Sequence, residues 1–139
     1  MSMTISSAVH VLVVGGLVNL ALSFALGWVL SLKRVREPIE PNRWLLVAHT
    51  VAMQEGCFLL GLGFAMSFAK LPGSIAITAA WLLVAASMFQ DFSGIMNWLD
   101  KVDDQFAKKS RGWVLASINA VLNTAGLAIV AGGVVYAFV

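Results

Sequence analysis

The sequence predicts an all-α integral membrane four-helix bundle, and three observations carry that expectation. Of the 139 residues, 60% are hydrophobic and only 12% are charged, and the mean hydropathy of +0.88 lies far above that of soluble domains. The apolar residues are gathered into four long stretches. Each exceeds the roughly 20 residues that cross about 30 Å of hydrocarbon at about 1.5 Å per residue, and a chain in lipid must satisfy its backbone groups internally, which helices of this length do.

The helices are expected near 8–32, 44–68, 74–99 and 112–139, forming a single transmembrane domain over 1–139. The first stretch is not expected to be a signal peptide, because no Lys or Arg precedes it and it runs too long. The second follows a basic linker from Lys33 to Arg43. The tight turn Ala69-Lys70-Leu71-Pro72-Gly73 separates it from the third, and Asp100 to Arg111 leads into the fourth. Linkers this short leave no room for a soluble catalytic module, so any chemistry belongs in the bundle.

Charge orients the chain. Of nine basic residues, Lys33, Arg34, Arg36, Arg43, Lys101, Lys108, Lys109 and Arg111 fall in the first and third linkers and only Lys70 in the second. The positive-inside rule then places linkers 33–43 and 100–111 in the cytoplasm and both termini on the opposite side, the expected location being a bacterial inner membrane. Trp28, Trp44, Trp98 and Trp113 flank those linkers as interfacial anchors. The net charge of +2 does not indicate nucleic acid, because the basic residues are juxtamembrane and interleaved with Glu37, Glu40, Asp100, Asp103 and Asp104; the lipid bilayer is the expected partner. The single Cys57 excludes an intrachain disulfide and a Cys/His zinc cluster within one chain.

Polar residues inside the spans define the candidate site. Small and polar residues recur at helical spacing as Gly16, Asn19, Ser23 and Gly27, as Ser87, Gln90, Asp91, Gly94 and Asn97, and as Ala116, Asn119, Asn123 and Gly126. Such stripes first of all glue transmembrane helices together, the plainer reading for Asn19, Asn119 and Asn123. At about 1.5 Å per residue, His49, Asp91 and Asn119 lie about 8–12 Å from the basic end and Glu55 and Asn123 about 17 Å, so one cavity could hold them. An ionisable group at such depth costs at least about 2.5–3.5 kcal/mol and usually has a task. Glu55 and Asp91 are therefore the candidate catalytic acids, working as neutral proton donors or as the carboxylates of a proton-coupled carrier. His49 near a helix end is more often a packing residue, but imidazole is also a common haem ligand, and one axial His leaves the opposite iron position open. His10, toward the other membrane face, is not expected to share that site.

The stretch Ala48-His49-Thr50-Val51-Ala52-Met53-Gln54-Glu55-Gly56-Cys57-Phe58-Leu59-Leu60-Gly61-Leu62-Gly63 resembles the second helix of hydroxylaminobenzene mutases and styrene oxide isomerases, small four-helix membrane isomerases that show Ala-His, then Asn-Gly, then an aliphatic run. The resemblance extends more loosely through the third helix, over about half of the chain. It implies a redox-neutral rearrangement of a small apolar aromatic substrate, a hydroxylamine or an aryl epoxide. It further implies haem b as cofactor with His49 as iron ligand, and a homo-oligomer, a trimer in styrene oxide isomerases, with haem between subunits. In that reading Glu55 or Asp91 moves a proton while Gln90, Asn97, Asn119 and Asn123 position groups. The chain departs from the families in carrying Glu55 and Gln90 where they have Asn, and Gly94 where styrene oxide isomerases have Tyr. Three other classes stay open: a small proton-coupled transporter using Glu55 or Asp91, a haem b membrane subunit of an electron-transfer complex, and a structural subunit.

Overall fold

The computed structural model describes residues 3–36, 43–106 and 109–139. Glu37, Glu40 and Lys108 of the expected charged linkers lie outside the described residues. Four helices run α1 (Met3–Arg36), α2 (Arg43–Met66), α3 (Gly73–Leu99) and α4 (Arg111–Phe138). Each is long and apolar enough to cross a membrane, so the chain is an all-α integral membrane protein. The expected bounds hold to within two residues except for α1, which starts five residues earlier and runs four further. Neither flank contains a helix breaker, and the first proline of the chain, Pro38, comes only after Arg36.

Packing is uneven. The helices α1, α2 and α3 contact one another mutually, while α4 packs along α3, touches α2 slightly and makes no appreciable contact with α1 among the described residues. Small residues permit the close approaches. Gly16 and Gly56 face each other where α1 and α2 cross, and a Cβ on Gly56 would stand 2.8 Å from Leu20 and 3.0 Å from the Gly16 carbonyl. Gly94 brings α3 against Ala48 of α2, where a Cβ would stand 3.1 Å from the Ala48 backbone. In lipid, van der Waals contact of this kind replaces the hydrophobic drive that assembles soluble bundles.

The α3–α4 linker is fastened by Asn97, which is fully buried. Its amide donates to Gln105 Oε1 at 2.9 Å and accepts from the Ser110 hydroxyl at 2.8 Å. Ser110 in turn caps α4 by accepting from the Trp113 amide at 3.0 Å. The end of α3 is a Schellman turn: Lys101 N–H reaches the Trp98 carbonyl at 3.2 Å and Val102 N–H the Asn97 carbonyl at 3.1 Å, with Lys101 at a φ of 52°. The Trp44 indole donates to the Val102 carbonyl, tying α2 to the same linker. Lys33 lies over Trp98, Arg43 over Trp44 and Lys109 over Trp113 at 5.3–5.9 Å, so three of the four tryptophans that flank the basic linkers are partnered by cations.

Two apolar clusters fill the interior. One, built on Leu12, Leu59, Met66 and Leu83, lies toward the α2–α3 turn; the other, built on Leu26, Leu45, Ala48 and Ala52, lies toward the basic end. Between them the chain places its buried polar residues.

Candidate functional site

The helices α1 and α3 run parallel and in step, as successive contacts along them show. A Cβ on Gly15 would meet Val84, the Asn19 amide meets Ser87, and Lys33 reaches Trp98. One turn beyond Asn19 and Ser87, the same register sets Ser23 level with Asp91. Because α2 is antiparallel to both, His49 meets Ser23 at that level. The layer between the two apolar clusters thus consists of Asn19 and Ser23 from α1, His49 and Glu55 from α2, and Ser87 and Asp91 from α3.

Within this layer α2 divides its polar residues between two neighbours. His49 faces α1, where its Nδ1 lies 2.9 Å from the Ser23 carbonyl oxygen and 3.2 Å from the Ser23 hydroxyl. That hydroxyl donates to the His49 carbonyl at 3.0 Å. A carbonyl only accepts, so Nδ1 is the donor in this contact, and Nε2 is the ring nitrogen left free of it. The ring rests on Gly27, where a Cβ would approach Cε1 to 3.1 Å. Glu55 lies two turns after Ala48 on the side of α2 that packs on α3, near enough for its carboxyl to act electrostatically on Asp91.

Asp91 is 1% exposed, and neither carboxyl oxygen has a hydrogen-bond partner. Asn19, 0% exposed, donates to the Gly15 carbonyl at 2.8 Å and to Ser87 Oγ at 3.1 Å, while its own Oδ1 is unpartnered. Buried polar atoms without partners are rare in folded chains and call for an explanation at each position.

The expected residues therefore fall into separate groups. Depth puts His49 and Asp91 at one level, but their side chains are held by different contacts: His49 against α1, and Asp91 near Glu55 of α2. Gln90 and Asn119 are brought together, with the Asn119 amide donating to Gln90 Oε1 at 2.8 Å across the α3–α4 contact. Asn123 is half-buried one turn further along α4. Asn97 departs from the expected positioning role: its amide is engaged by Gln105 and Ser110, six residues along α3 from Asp91, so it serves the linker. Sequence reasoning passed over Ser93, Gln105 and Ser110. Ser93 donates to the Gly112 carbonyl at 2.7 Å, and its position beside the polar stripe of α3 was the available signal.

An apolar groove of about 400 Å³ lies between α1 and α3, lined among others by His10, Val14, Val18, Trp81 and Met88, with Gly15 and Val84 also in its wall. His10 belongs to this groove and not to the layer containing His49, as the depth count leads one to expect.

For a haem iron the donor chemistry fits at His49. A metal-binding imidazole needs one nitrogen free while the other is held as a donor, and Ser23 provides that arrangement. Among the described residues no three His, Cys, Asp or Glu side chains gather into a site for a metal ion. Comparison with protein-family models finds none that matches this chain, and comparisons with curated proteins and with solved structures likewise give no significant match.

Proposed function

We propose that the chain is a membrane isomerase that rearranges a small apolar aromatic hydroxylamine or aryl epoxide, working as a homo-oligomer in a bacterial inner membrane with its basic linkers in the cytoplasm. The observation that carries the reading is the contact between His49 Nδ1 and the Ser23 carbonyl, which leaves Nε2 as the free ring nitrogen. It occurs in the stretch that resembles the mutases and epoxide isomerases. His49 would hold haem b, and the bound iron supplies Lewis acidity toward the substrate oxygen.

The other tasks fall to residues of the chain. Ser23 and Gly27 keep the imidazole from turning. Glu55, half-buried, is placed to carry a proton, whereas Asp91 is enclosed too completely to touch a substrate. Gln90 and Asn119, already paired, would position polar groups at the α3–α4 contact. The aromatic part of the substrate would enter from the bilayer beside His49, where a dry environment keeps a cationic intermediate from water.

The test is turnover. Membranes containing the chain are incubated with an aryl hydroxylamine or an aryl epoxide and the rearranged product is followed; His49→Ala is expected to abolish its formation. Full turnover by His49→Ala, or none by the wild-type protein charged with haem, overturns the reading.

A second reading, a small proton-coupled carrier, is favoured by the unpartnered Asp91 beside Glu55, since an intramembrane carboxyl of this kind is a common exchange site. Proteoliposomes distinguish the two, because a carrier exchanges a cationic solute for protons that run down their gradient, and loses that ability in Glu55→Gln.

A further inference from the structure

The buried layer at the α1–α3 contact contains acceptors that no donor meets. Asp91 presents two unpartnered oxygens and Asn19 one, and both residues are all but fully enclosed. The Asn19 amide shows where that oxygen points. Its nitrogen is committed to the Gly15 carbonyl, one turn earlier on α1, and to Ser87, so Oδ1, on the other branch of the amide, is turned away from that carbonyl. On the parallel α3, Asp91 follows Ser87 by one turn on the same face. Ser87 adds a hydroxyl oxygen whose proton is spent on the Val84 carbonyl at 2.9 Å; one of its lone pairs accepts from the Asn19 amide at 3.1 Å, and the other is left to accept. Glu55 approaches from α2 and brings a further carboxyl.

An array of oxygens cannot satisfy itself. The lysines and arginines lie at the helix ends or in the linkers, outside this layer. A proton on Asp91 would provide a single donor, whereas a small cation is coordinated by all of the oxygens at once. Oxygen-only donors select a hard cation over a transition metal, and one fully enclosed carboxylate balances one positive charge.

We propose that Asp91, Asn19 and Ser87 form a buried site for a single alkali cation of sodium size, with the Glu55 carboxyl at its edge. The site stands apart from the isomerase reading, in which neither Asp91 nor Asn19 has a chemical part, and its readout is binding, which neither turnover nor transport supplies.

The experiment uses the full chain in mild detergent near neutral pH, with thermal unfolding followed in sodium chloride and in choline chloride at equal concentration. Ligand binding to the folded state alone raises its midpoint, and saturating sodium is expected to raise the wild-type midpoint by about 5 °C over choline. Radioactive sodium should bind at one ion per chain. The rise and the bound ion should vanish in Asp91→Asn, and Asn19→Ala should weaken sodium binding by about tenfold, a loss of one oxygen donor worth roughly 1.4 kcal/mol by that ratio. Should Asp91→Asn fail to fold, Asn19→Ala decides the matter. Equal midpoints for the wild-type protein in sodium, lithium, potassium and choline overturn the proposal, as does a sodium-dependent rise that survives in both variants.

Discussion

Ser23 holds His49 from two sides: its backbone carbonyl oxygen lies 2.9 Å from Nδ1, and its hydroxyl donates to the His49 carbonyl at 3.0 Å. The first contact selects the tautomer and the second ties the two backbones together. Beneath the ring, a Cβ on Gly27 would stand 3.1 Å from Cε1, so even a small side chain would press on the imidazole. Gly27→Val should therefore turn the imidazole away from Ser23 and cost about 1–3 kcal/mol through overpacking. Unfolding in detergent reads the stability, and the affinity for added haemin reads the orientation. Ser23→Ala should be milder on haemin, because the carbonyl contact survives the loss of the hydroxyl.

Asn19 is the principal polar link between α1 and α3. Replacing it with Leu removes the bonds to Gly15 and Ser87, and a net loss of about 1–2 kcal/mol is expected. Unaltered resistance to unfolding in Asn19→Leu would show that the two bonds contribute nothing net.

Lys101 occupies a left-handed backbone position at the end of α3, where a Cβ is unfavourable and glycine is not. Lys101→Gly should raise stability by about 0.5–1 kcal/mol, the lower strain in the native state outweighing the freer unfolded chain. A lower unfolding midpoint would mean that the Lys101 side chain contributes more than its backbone costs.

At the surface of the basic end the Arg111 guanidinium makes hydrogen bonds to both carboxyl oxygens of Asp100, one of them at 3.0 Å. These bonds hold the Asp100 carboxyl below the usual carboxylate range. A depressed value stabilises the fold at pH above the unfolded value of about 4, and the contribution is lost as pH falls through the lower, folded value. Wild type and Asp100→Asn should thus differ at neutral pH by a small amount, as solvent-exposed pairs do, and converge in acid. A stability gap that widens below pH 4 would contradict this.

Asn97→Ala should loosen the α3–α4 linker without touching the polar layer. The expected pattern is a drop of about 1–3 kcal/mol in stability, from the unmet partners Gln105 and Ser110, with turnover per folded molecule preserved. Selective loss of turnover would return Asn97 to the site.

Much of this was legible in the sequence. The four spans follow from hydrophobic length, and the small and polar stripes of α1 and α3 do turn inward, with Gly16, Asn19, Ser23, Ser87, Asp91 and Gly94 all buried. Depth along a helix also carried over, which is why His49 and Asp91 share a level. Azimuth did not: six residues turn a helix through about 600°, so His49 and Glu55 must face different neighbours, and which neighbours depends on tertiary contacts such as Gly27 and Ala48. Asn97 looked like a member of the site because its spacing continues the stripe, yet the residues that engage it, Gln105 and Ser110, come from the linker beyond. Nor does spacing reveal that α4 packs mainly on α3.

The most direct test of the account is the visible absorption spectrum of the purified chain, oxidised and reduced, after incubation with haemin and beside His49→Ala. Iron bound through the free Nε2 of His49 gives a Soret band that shifts on reduction and disappears in the variant. A wild-type protein that takes up no haemin, or a variant with the same spectrum as the wild type, would contradict the role assigned to His49.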